Sequence, residues 1–350
     1  AGLAYYAEVP VVIWDVQRIG PSTGLPTRTS QGDLSFTYFI GHGDSHSVIL
    51  LPGDVHECFE FGWKAFDVAE RIQTPVFVLS DLDMGMNQWI SKPFQYPEAP
   101  MDRGKVLWEK DLEEIKGNWG RYLDVDGDAL PYRTFPGNKH PLSSYFTRGT
   151  GHDEYAKYTE DSAMYMKNME RLARKQVTAK QYVPAPVLHS NKKASVGIIA
   201  YGSTENAIFE AQAQLSAEHN LESELLRIRA IPFTKEVDEF IQRYDQIFVV
   251  EMNRDAQMLQ ILYTEYPQYA MKFKSVAYHD GLPAAAKWVR EGILAKYEKV
   301  SAKKPVTSAK AKAKKTVAKA KAAPAKKAAV KKSVSKKPAK SKSAVKSKRK

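Results

Sequence analysis

The sequence predicts an α/β protein in which two groups of parallel strands alternate with helices. Strand and helix signals alternate within the first hundred residues, and they alternate again, more regularly, between residues 195 and 300. Such alternation is typical of parallel sheets that are covered by helices on both faces. The last fifty residues carry neither signal, because they contain no aromatic residue and consist mainly of Lys, Ala, Ser, Pro and Val.

Length and composition place the rest of the chain among ordinary globular proteins. The 350 residues are enough for about two domains of roughly 150 residues each. The single cysteine, Cys58, excludes a disulfide framework and a cysteine-held iron–sulfur cluster. No apolar run approaches the roughly 18 residues of a membrane span, so we expect a cytoplasmic protein without a membrane partner.

Basic residues are concentrated at the C-terminal end. Residues 301–350 hold 20 of the 52 Lys and Arg residues and none of the 40 acidic ones, so the net charge of +12 becomes −8 for residues 1–300. A segment of this composition cannot bury enough apolar surface to offset its ordering entropy. We therefore predict that residues 301–350 form a disordered tail. Two interpretations stay open for it: a solubilising extension, which we prefer, and binding of nucleic acid or other polyanions without sequence specificity.

The first domain is predicted to span residues 1–100. It begins with the β-branched run PVVIWDV at 10–16, which is typical of a buried strand, and a second apolar run follows at 48–52. The third strand is PVFVLSD at 75–81. The strand–helix–strand order favours a parallel sheet.

The helix between the second and third strands has its own start signal. Asp54 and Glu57 form a capping-box pair at its N-terminus, and the helix is predicted to reach about residue 72. Apolar residues at three- and four-residue spacing predict its core face, namely Phe59, Trp63, Phe66 and Ala69.

A connecting region at 101–191 separates this domain from a second domain at 192–300. The connecting region contains two predicted helices, near 105–117 and 160–176. The second domain is predicted to hold four strands, at 195–201, 224–231, 246–252 and 273–278, alternating with helices at 204–217, 235–243, 255–265 and 282–298.

The segment QRIGPSTGLPT at 17–27 is the strongest candidate for a binding site. It follows the first strand directly, and ligands of open parallel sheets bind beyond the carboxyl ends of the strands. Arg18 offers a planar fork for a carboxylate or phosphate, and Ser22, Thr23 and Thr27 offer hydroxyl donors. A tight loop whose hydroxyls only cap turns explains the same residues, and from this pattern both interpretations stay open.

Two further groups of polar residues have weaker signals. His42 and Asp44 carry metal-ligating groups, but the intervening Gly43 favours a loop, so we predict a turn near the mouth of the active site and no metal site. Asn253 and Gln257 follow a strand and are candidates for an inter-domain cleft, although capping of the next helix accounts for Asn253 equally well.

An ordered series of motifs runs along residues 1–300. The longest is VIWDVQRIGPSTGLPTRTSQGDL at 12–34. The others are GHGDSH at 41–46, LLPGD at 50–54, DRGKV at 102–106, GHDE at 151–154, AYGST at 200–204, RAIPF at 229–233 and VVEMNRDAQM at 249–258. This series closely resembles the α subunit of 2-oxoacid:ferredoxin oxidoreductases, in particular the 2-oxoglutarate branch.

The resemblance implies a remnant of a thiamine-diphosphate pyrimidine-binding domain and a transketolase C-terminal-like domain. It implies oxidative decarboxylation of a 2-oxoacid to an acyl-CoA, with coenzyme A as co-substrate and ferredoxin as electron acceptor. A β subunit would complete the heteromer and carry Mg²⁺ and a [4Fe–4S] cluster, which fits the single cysteine of this chain. Arg18 would pair with the substrate carboxylate, and Thr27, with Ser22 and Thr23, would hydrogen-bond the substrate.

Two features depart from that family. The glutamate that activates the aminopyrimidine of the cofactor is expected upstream of Ala1, so the catalytic residue stays unassigned, and Glu8, in the turn before the first strand, is a poor substitute. The tail at 301–350 is the second departure, and its likeness to histone H1-like tails suggests an alternative function in nucleic-acid binding. A transketolase-type enzyme without ferredoxin is a further alternative, which the QRIGPSTGLPT segment disfavours.

Overall fold

Two sheets organise residues 1–116 and 119–299, which are the residues that the computed structural model describes. The strands are β1 (Val11–Ile19), β2 (Leu25–Thr29), β3 (Val48–Leu50), β4 (Pro75–Asp81), β5 (Val187–His189), β6 (Val196–Tyr201), β7 (Ser223–Ile228), β8 (Ala230–Ile231), β9 (Ile247–Glu251) and β10 (Phe273–Ala277). The first sheet has the order β2-β1-β4-β3-β8, and the second has the order β10-β9-β6-β7-β5.

The interior strands of both sheets are parallel, as the alternation of strand and helix signals predicts. In the first sheet β1 and β3 pair with β4 in parallel, and the edge strands β2 and β8 are antiparallel. In the second sheet β10, β9, β6 and β7 are parallel, and β5 adds an antiparallel edge. The predicted α/β class is therefore confirmed.

Helices cover both sheets and also fill the space between them. They are α1 (Gly2–Tyr6), α2 (Leu34–Tyr38), α3 (Val55–Ile72), α4 (Leu82–Met86), α5 (Glu109–Ile115), α6 (Ser162–Ala179), α7 (Glu205–His219), α8 (Lys235–Arg243), α9 (Gln257–Glu265) and α10 (Ala286–Lys296). One apolar cluster joins α3 and the end of α6 to the first sheet, and another joins α7 and α10 to the second. A third cluster contains residues of both sheets together with α2, α8 and α9, so the sheets share a core.

Helix α3 begins at the predicted cap but buries a different face. The Asp54 carboxylate accepts a hydrogen bond from the Glu57 N–H at 2.7 Å, which confirms the start signal. The residues that pack on the sheet are Phe61, Ala65, Val68, Ala69 and Ile72. The predicted core face was wrong for Phe66, which is 45% exposed.

The physical reason is that α3 is apolar on more than one side. The ring of Phe59 stacks on that of Phe94 with centroids 4.8 Å apart, so an irregular segment following the first sheet covers this second apolar side. Residue spacing predicts that a helix has an apolar face, but it does not choose between two such faces.

Strand β1 was predicted to be buried, and this prediction was wrong for its middle. Ile13, Trp14 and Val16 are 37%, 38% and 44% exposed. The reason is the pairing: β4 lies along Val11–Gln17 on one side, whereas β2 pairs with β1 only at Arg18 and Ile19. Residues Val11–Gln17 of β1 therefore have a paired strand on one side only, and the end that carries Arg18 is paired with β2.

The predicted domain boundaries stay a prediction. Ala1–Glu298 cluster as one compact unit, and β8, from the predicted second domain, adds an edge to the first sheet. Helices α5 and α6 lie in the predicted connecting region. Within the described ranges no helix is long and apolar enough to cross a membrane. The predicted disordered tail, 301–350, lies outside the described residues.

Candidate functional site

A cavity of about 520 Å³ lies where the ends of strands from the two sheets meet. One wall is formed by Arg18 and the following loop, at the carboxyl end of β1. The opposite wall is formed by residues 253–257, after β9, and by His279, after β10. Ligands of parallel α/β sheets bind at such carboxyl ends, so the cavity is where the topology places a binding site.

Gln31 holds the two walls together. Its side chain is fully buried; the Nε2 amide donates to the Tyr201 carbonyl at 2.7 Å, and Oε1 accepts from the Met252 N–H at 2.8 Å. Its own N–H donates to the Met252 carbonyl at 2.8 Å. The segment after β2 is therefore joined to the ends of β6 and β9 by buried hydrogen bonds, which position the cavity wall.

Asn253 and Gln257 extend this connection. The Asn253 Nδ2 amide donates to the Gln31 carbonyl at 3.1 Å, and its Oδ1 accepts from the Gln257 N–H at 3.1 Å. The Gln257 Nε2 amide donates to the Gly32 carbonyl at 2.7 Å, and Oε1 accepts from the Ser35 N–H at 2.8 Å. Asn253 thus faces the junction between the sheets and also binds the first N–H of α9.

Glu251 also stabilises this wall of the cavity, although it was not among the residues that the sequence predicts for the site. It is fully buried, and its carboxylate accepts hydrogen bonds from the N–H groups of Met258 at 2.9 Å and Leu259 at 3.2 Å and from the Asn253 amide at 2.6 Å. Burial raises the pKa of Glu251 to about 7. An acidic residue at the end of the apolar strand QIFVVEM is the signal that would have identified it.

Two arginines line the cavity, and they differ in whether the guanidinium group is already paired with another residue. The Arg254 guanidinium is already paired with Asp255, through Nε to Oδ1 at 2.7 Å and Nη2 to Oδ2 at 3.1 Å. The Arg18 guanidinium, in contrast, makes no hydrogen bond or ion pair with any other residue of the described ranges. A half-buried, unpaired guanidinium in a cavity is suited to bind an anion by two parallel hydrogen bonds.

Comparisons with known proteins identify the relatives of this chain. Residues 1–101 match the family model described as "Pyruvate flavodoxin/ferredoxin oxidoreductase, thiamine diP-bdg". The chain is 34% identical, over 74% of its length, to the α subunit of 2-oxoacid:ferredoxin oxidoreductase 2 from Aeropyrum pernix. It is 30% identical, over 72% of its length, to the 2-oxoglutarate synthase subunit KorA of Archaeoglobus fulgidus. The chain is homologous to the α subunits of 2-oxoacid:ferredoxin oxidoreductases.

A solved structure supports the same homology. The chain superposes on the 2-oxoglutarate:ferredoxin oxidoreductase of Magnetococcus marinus with a TM-score of 0.73 and 26% identity, covering 84% of this chain and 50% of that one. The Magnetococcus protein was solved with 2-oxoglutarate, coenzyme A and succinyl-CoA bound. The present chain spans 40% of the length of the Aeropyrum relative and 63% of the Archaeoglobus relative.

The structure brings together only some of the residues that the sequence predicts for the site of this α-subunit homologue. Arg18, Asn253 and Gln257 all line the cavity. Ser22, Thr23 and Thr27 are exposed and do not line it, although Thr27 lies in β2, whose Thr29 pairs with Arg18.

The histidine-rich turn lies apart from this cavity. His42 and Asp44 are exposed and are not part of its lining, and His46 lines a different cavity beside Tyr38. In the described ranges no three His, Cys, Asp or Glu side chains come together in a way that could hold a metal ion. The geometry therefore gives no link between Arg18 and the predicted turn at 41–46.

Replacing Gln31 by alanine is expected to destabilise the protein by about 1 to 3 kcal/mol, because the buried Met252 N–H loses its partner and the Tyr201 carbonyl keeps only the hydroxyl of Thr204. Urea unfolding measures this change in the free energy of unfolding. The matched control is Gln242→Ala, since the Gln242 side chain is exposed and bonds only Asp238 of the same helix, at 2.7 Å. Equal stability of the two variants would show that Gln31 does not join the sheets.

Proposed function

We propose that this chain supplies the substrate-carboxylate side of the active site in the α subunit of a thiamine-diphosphate-dependent 2-oxoacid:ferredoxin oxidoreductase, with 2-oxoglutarate as the preferred substrate. The observation that carries the proposal is the unpaired Arg18 guanidinium in the cavity between the two sheets. The names of the relatives, a 2-oxoacid:ferredoxin oxidoreductase and a 2-oxoglutarate synthase, support the class of reaction.

The overall reaction balances with coenzyme A and ferredoxin as co-reactants. The 2-oxoacid loses its carboxyl group as CO₂, its acyl group forms a thioester with coenzyme A, the thiol proton is released, and two electrons pass to ferredoxin. Thiamine diphosphate, when bound, would supply nucleophilic carbon chemistry at the keto group. The part of this chain in that reaction is to bind and orient the anionic substrate through Arg18, whereas the role predicted for Thr27, which lies outside the cavity lining, stays a prediction.

The glutamates of residues 1–101 do not fit the role of cofactor activator. Glu8 is ion-paired with Arg171 and Lys175, and Glu57 with Arg227 and Arg229. Two more are also in ion pairs, namely Glu60 and Glu70, and the remaining one, Glu98, is exposed. A glutamate from outside residues 1–101 is therefore needed to complete a thiamine site.

The iron–sulfur cluster that such an enzyme uses also indicates a partner subunit. A [4Fe–4S] cluster needs four thiolate ligands, and this chain has one cysteine, Cys58. Burial raises the pKa of the Cys58 thiol to about 12, so even this residue is held as a thiol rather than a thiolate. We therefore place the cluster, Mg²⁺ and the diphosphate site on a β subunit, which would pass electrons to ferredoxin.

The chain by itself is expected to show no oxidation of 2-oxoglutarate, even with thiamine diphosphate, Mg²⁺, coenzyme A and ferredoxin present. Activity should appear when it is combined with a β subunit that carries cluster cysteines. Ferredoxin reduction that depends on both 2-oxoglutarate and coenzyme A is the measurement, with pyruvate in place of 2-oxoglutarate as the substrate comparison. Turnover by the chain alone, or a combined complex that uses neither substrate, would contradict the proposal.

A further inference from the structure

Asp33 lies at a helix start but does not act as its cap. It precedes α2, where an aspartate normally accepts a hydrogen bond from the N–H of the second or third helical residue. Its side chain makes no such bond, because the N–H of Ser35 donates instead to Oε1 of Gln257, at 2.8 Å. Gln257 therefore binds the N–H that an N-cap aspartate would usually bind. The Asp33 carboxyl lies in the wall of the cavity without that hydrogen bond.

The carboxyl of Asp33 faces the same cavity as Arg18. The side chain is half-buried, lines that cavity, and makes no hydrogen bond or ion pair with other residues in the part of the chain described. Its backbone is fixed nonetheless, since the Asp33 N–H donates to Oε1 of the buried Gln17 at 3.1 Å. The cavity thus holds a fixed, unpaired carboxyl and an unpaired guanidinium, and each would normally bind a partner when it is withdrawn from water.

Charged groups from several elements line or flank the cavity that Asp33 faces. Arg18 and Asp15 project from β1, Arg254 and Asp255 from the loop after β9, and His279 from the loop after β10. Burial raises the pKa of Asp33. Burial, and after it the charge of Asp33, raises the pKa of Asp15, so the two carboxyls disfavour each other's ionisation.

We propose that Asp33 is a positioning residue for the anionic substrate: it is protonated when a 2-oxoacid carboxylate is bound at Arg18, so that binding takes up one proton. This inference rests on the proposed function, because it requires an anion at Arg18. Ionised Asp33 would repel such an anion and partly cancel the attraction of Arg18, whereas protonated Asp33 can donate a hydrogen bond to it. The proton comes from the solvent on binding and returns on release, and no covalent bond changes.

The sign of the pH dependence follows from this coupling. A bound anion stabilises protonated Asp33, so the pKa of Asp33 is higher in the complex than in the free chain. Affinity is then greatest at pH values below both pKa values and falls, by up to about tenfold per pH unit, as the pH rises between them. A residue that cannot ionise would keep the high affinity throughout this range.

Calorimetric titration of the full chain with 2-oxoglutarate tests the inference over a range that starts at about pH 4, near the ordinary aspartate pKa, and extends to about pH 8. Titration in two buffers of different ionisation enthalpy counts the protons taken up. We expect uptake approaching one proton for the unaltered chain and none for Asp33→Asn, whose affinity should stay constant with pH. Asp33→Ser serves the same purpose if the asparagine variant is unstable. The control Asp15→Asn, which removes the neighbouring carboxyl outside the cavity lining, should retain the proton uptake.

The outcomes separate this inference from the proposed function. Proton uptake that persists in the Asp33 variants, or an unaltered chain whose affinity does not change with pH, would overturn the inference while Arg18 kept its role. An Arg18→Gln variant that binds 2-oxoglutarate as tightly as the unaltered chain would overturn the proposed function. Absence of binding at every pH would overturn both.

Discussion

Replacing Arg18 by glutamine is expected to lower kcat/KM for 2-oxoglutarate by about thirtyfold to several thousandfold in the complex with the β subunit. Truncating one partner of a desolvated charge pair costs about 2 to 5 kcal/mol, and each 1.4 kcal/mol corresponds to about a factor of ten. Arg18→Lys keeps the charge but loses the planar fork, so we expect a smaller loss that is still measurable. Initial rates of ferredoxin reduction at varied 2-oxoglutarate concentration measure both effects.

Arg28 provides the matched control. It is exposed on β2, ten positions along the chain from Arg18, and does not line the cavity. Arg28→Gln removes the same charge from the same region and should leave the kinetic constants unchanged. If both Arg18 variants kept normal kinetic constants, Arg18 would not be the carboxylate-binding residue.

Replacing Glu8 by alanine is expected to destabilise the protein by about 3 to 5 kcal/mol, because it leaves two buried cations without their counter-ion. The Glu8 carboxylate is fully buried and bonds Arg171 and Lys175 of α6, the latter at 3.1 Å. The carbonyl of Glu8 accepts a hydrogen bond from Arg121 at 2.7 Å. The cluster therefore ties the turn before β1 to α6, and urea unfolding should show the loss.

The same cluster predicts how stability changes in acid. Burial opposes ionisation of Glu8, but the charges of Arg171 and Lys175 outweigh it and lower the pKa to about 2. An unfolded glutamate has a pKa of about 4.3, so the contribution, of the order of 3 kcal/mol, is present above about pH 4.3 and is lost as the pH falls towards 2. Glu8→Gln should lack this part of the acid dependence.

Glu298 is the control for both Glu8 experiments. Its carboxylate pairs with Lys274 at 2.6 Å, but its side chain is 81% exposed, so Glu298→Gln should cost less than about 1 kcal/mol. Equal losses for Glu8→Ala and Glu298→Gln would show that the buried cluster does not stabilise the fold.

Local signals in the sequence predicted most of the elements. Helix α3 starts after Asp54 as its capping pair predicts, and β6, β9 and β10 lie within one residue of their predicted bounds. The strand predicted at 224–231 was wrong at its end, because β7 stops at Ile228 and β8 joins the first sheet. Helix α5 is shorter than predicted, at Glu109–Ile115. These elements could be found because capping and hydrophobic spacing act between residues close in sequence.

Arg18, together with Asn253 and Gln257, was the part of the site that the sequence could identify. A charged residue in a glycine- and proline-rich loop after a strand is a local pattern, and the topology of parallel sheets says where such a loop lies. The hydroxyl residues of the same loop had an equally good local pattern, but Ser22 and Thr23 are exposed and outside the cavity lining. A local sequence pattern identifies the residues of a loop, but it does not determine which of their side chains face the cavity.

By itself the sequence determined the α/β class, the order of the main parallel strands and their helices, the basic composition of residues 301–350, and the candidates Arg18, Asn253 and Gln257. The tertiary structure alone decided which distant polar groups meet: Gln31 bonds residues at 201 and 252, and Glu8 bonds residues at 171 and 175. It also left the Asp33 carboxyl without a hydrogen bond to α2, because Oε1 of Gln257 accepts from the Ser35 N–H that an aspartate at this position would normally bind. The physical reason is that a buried polar group must find a partner, and packing of the two sheets, rather than neighbouring sequence, determines which partner is within reach.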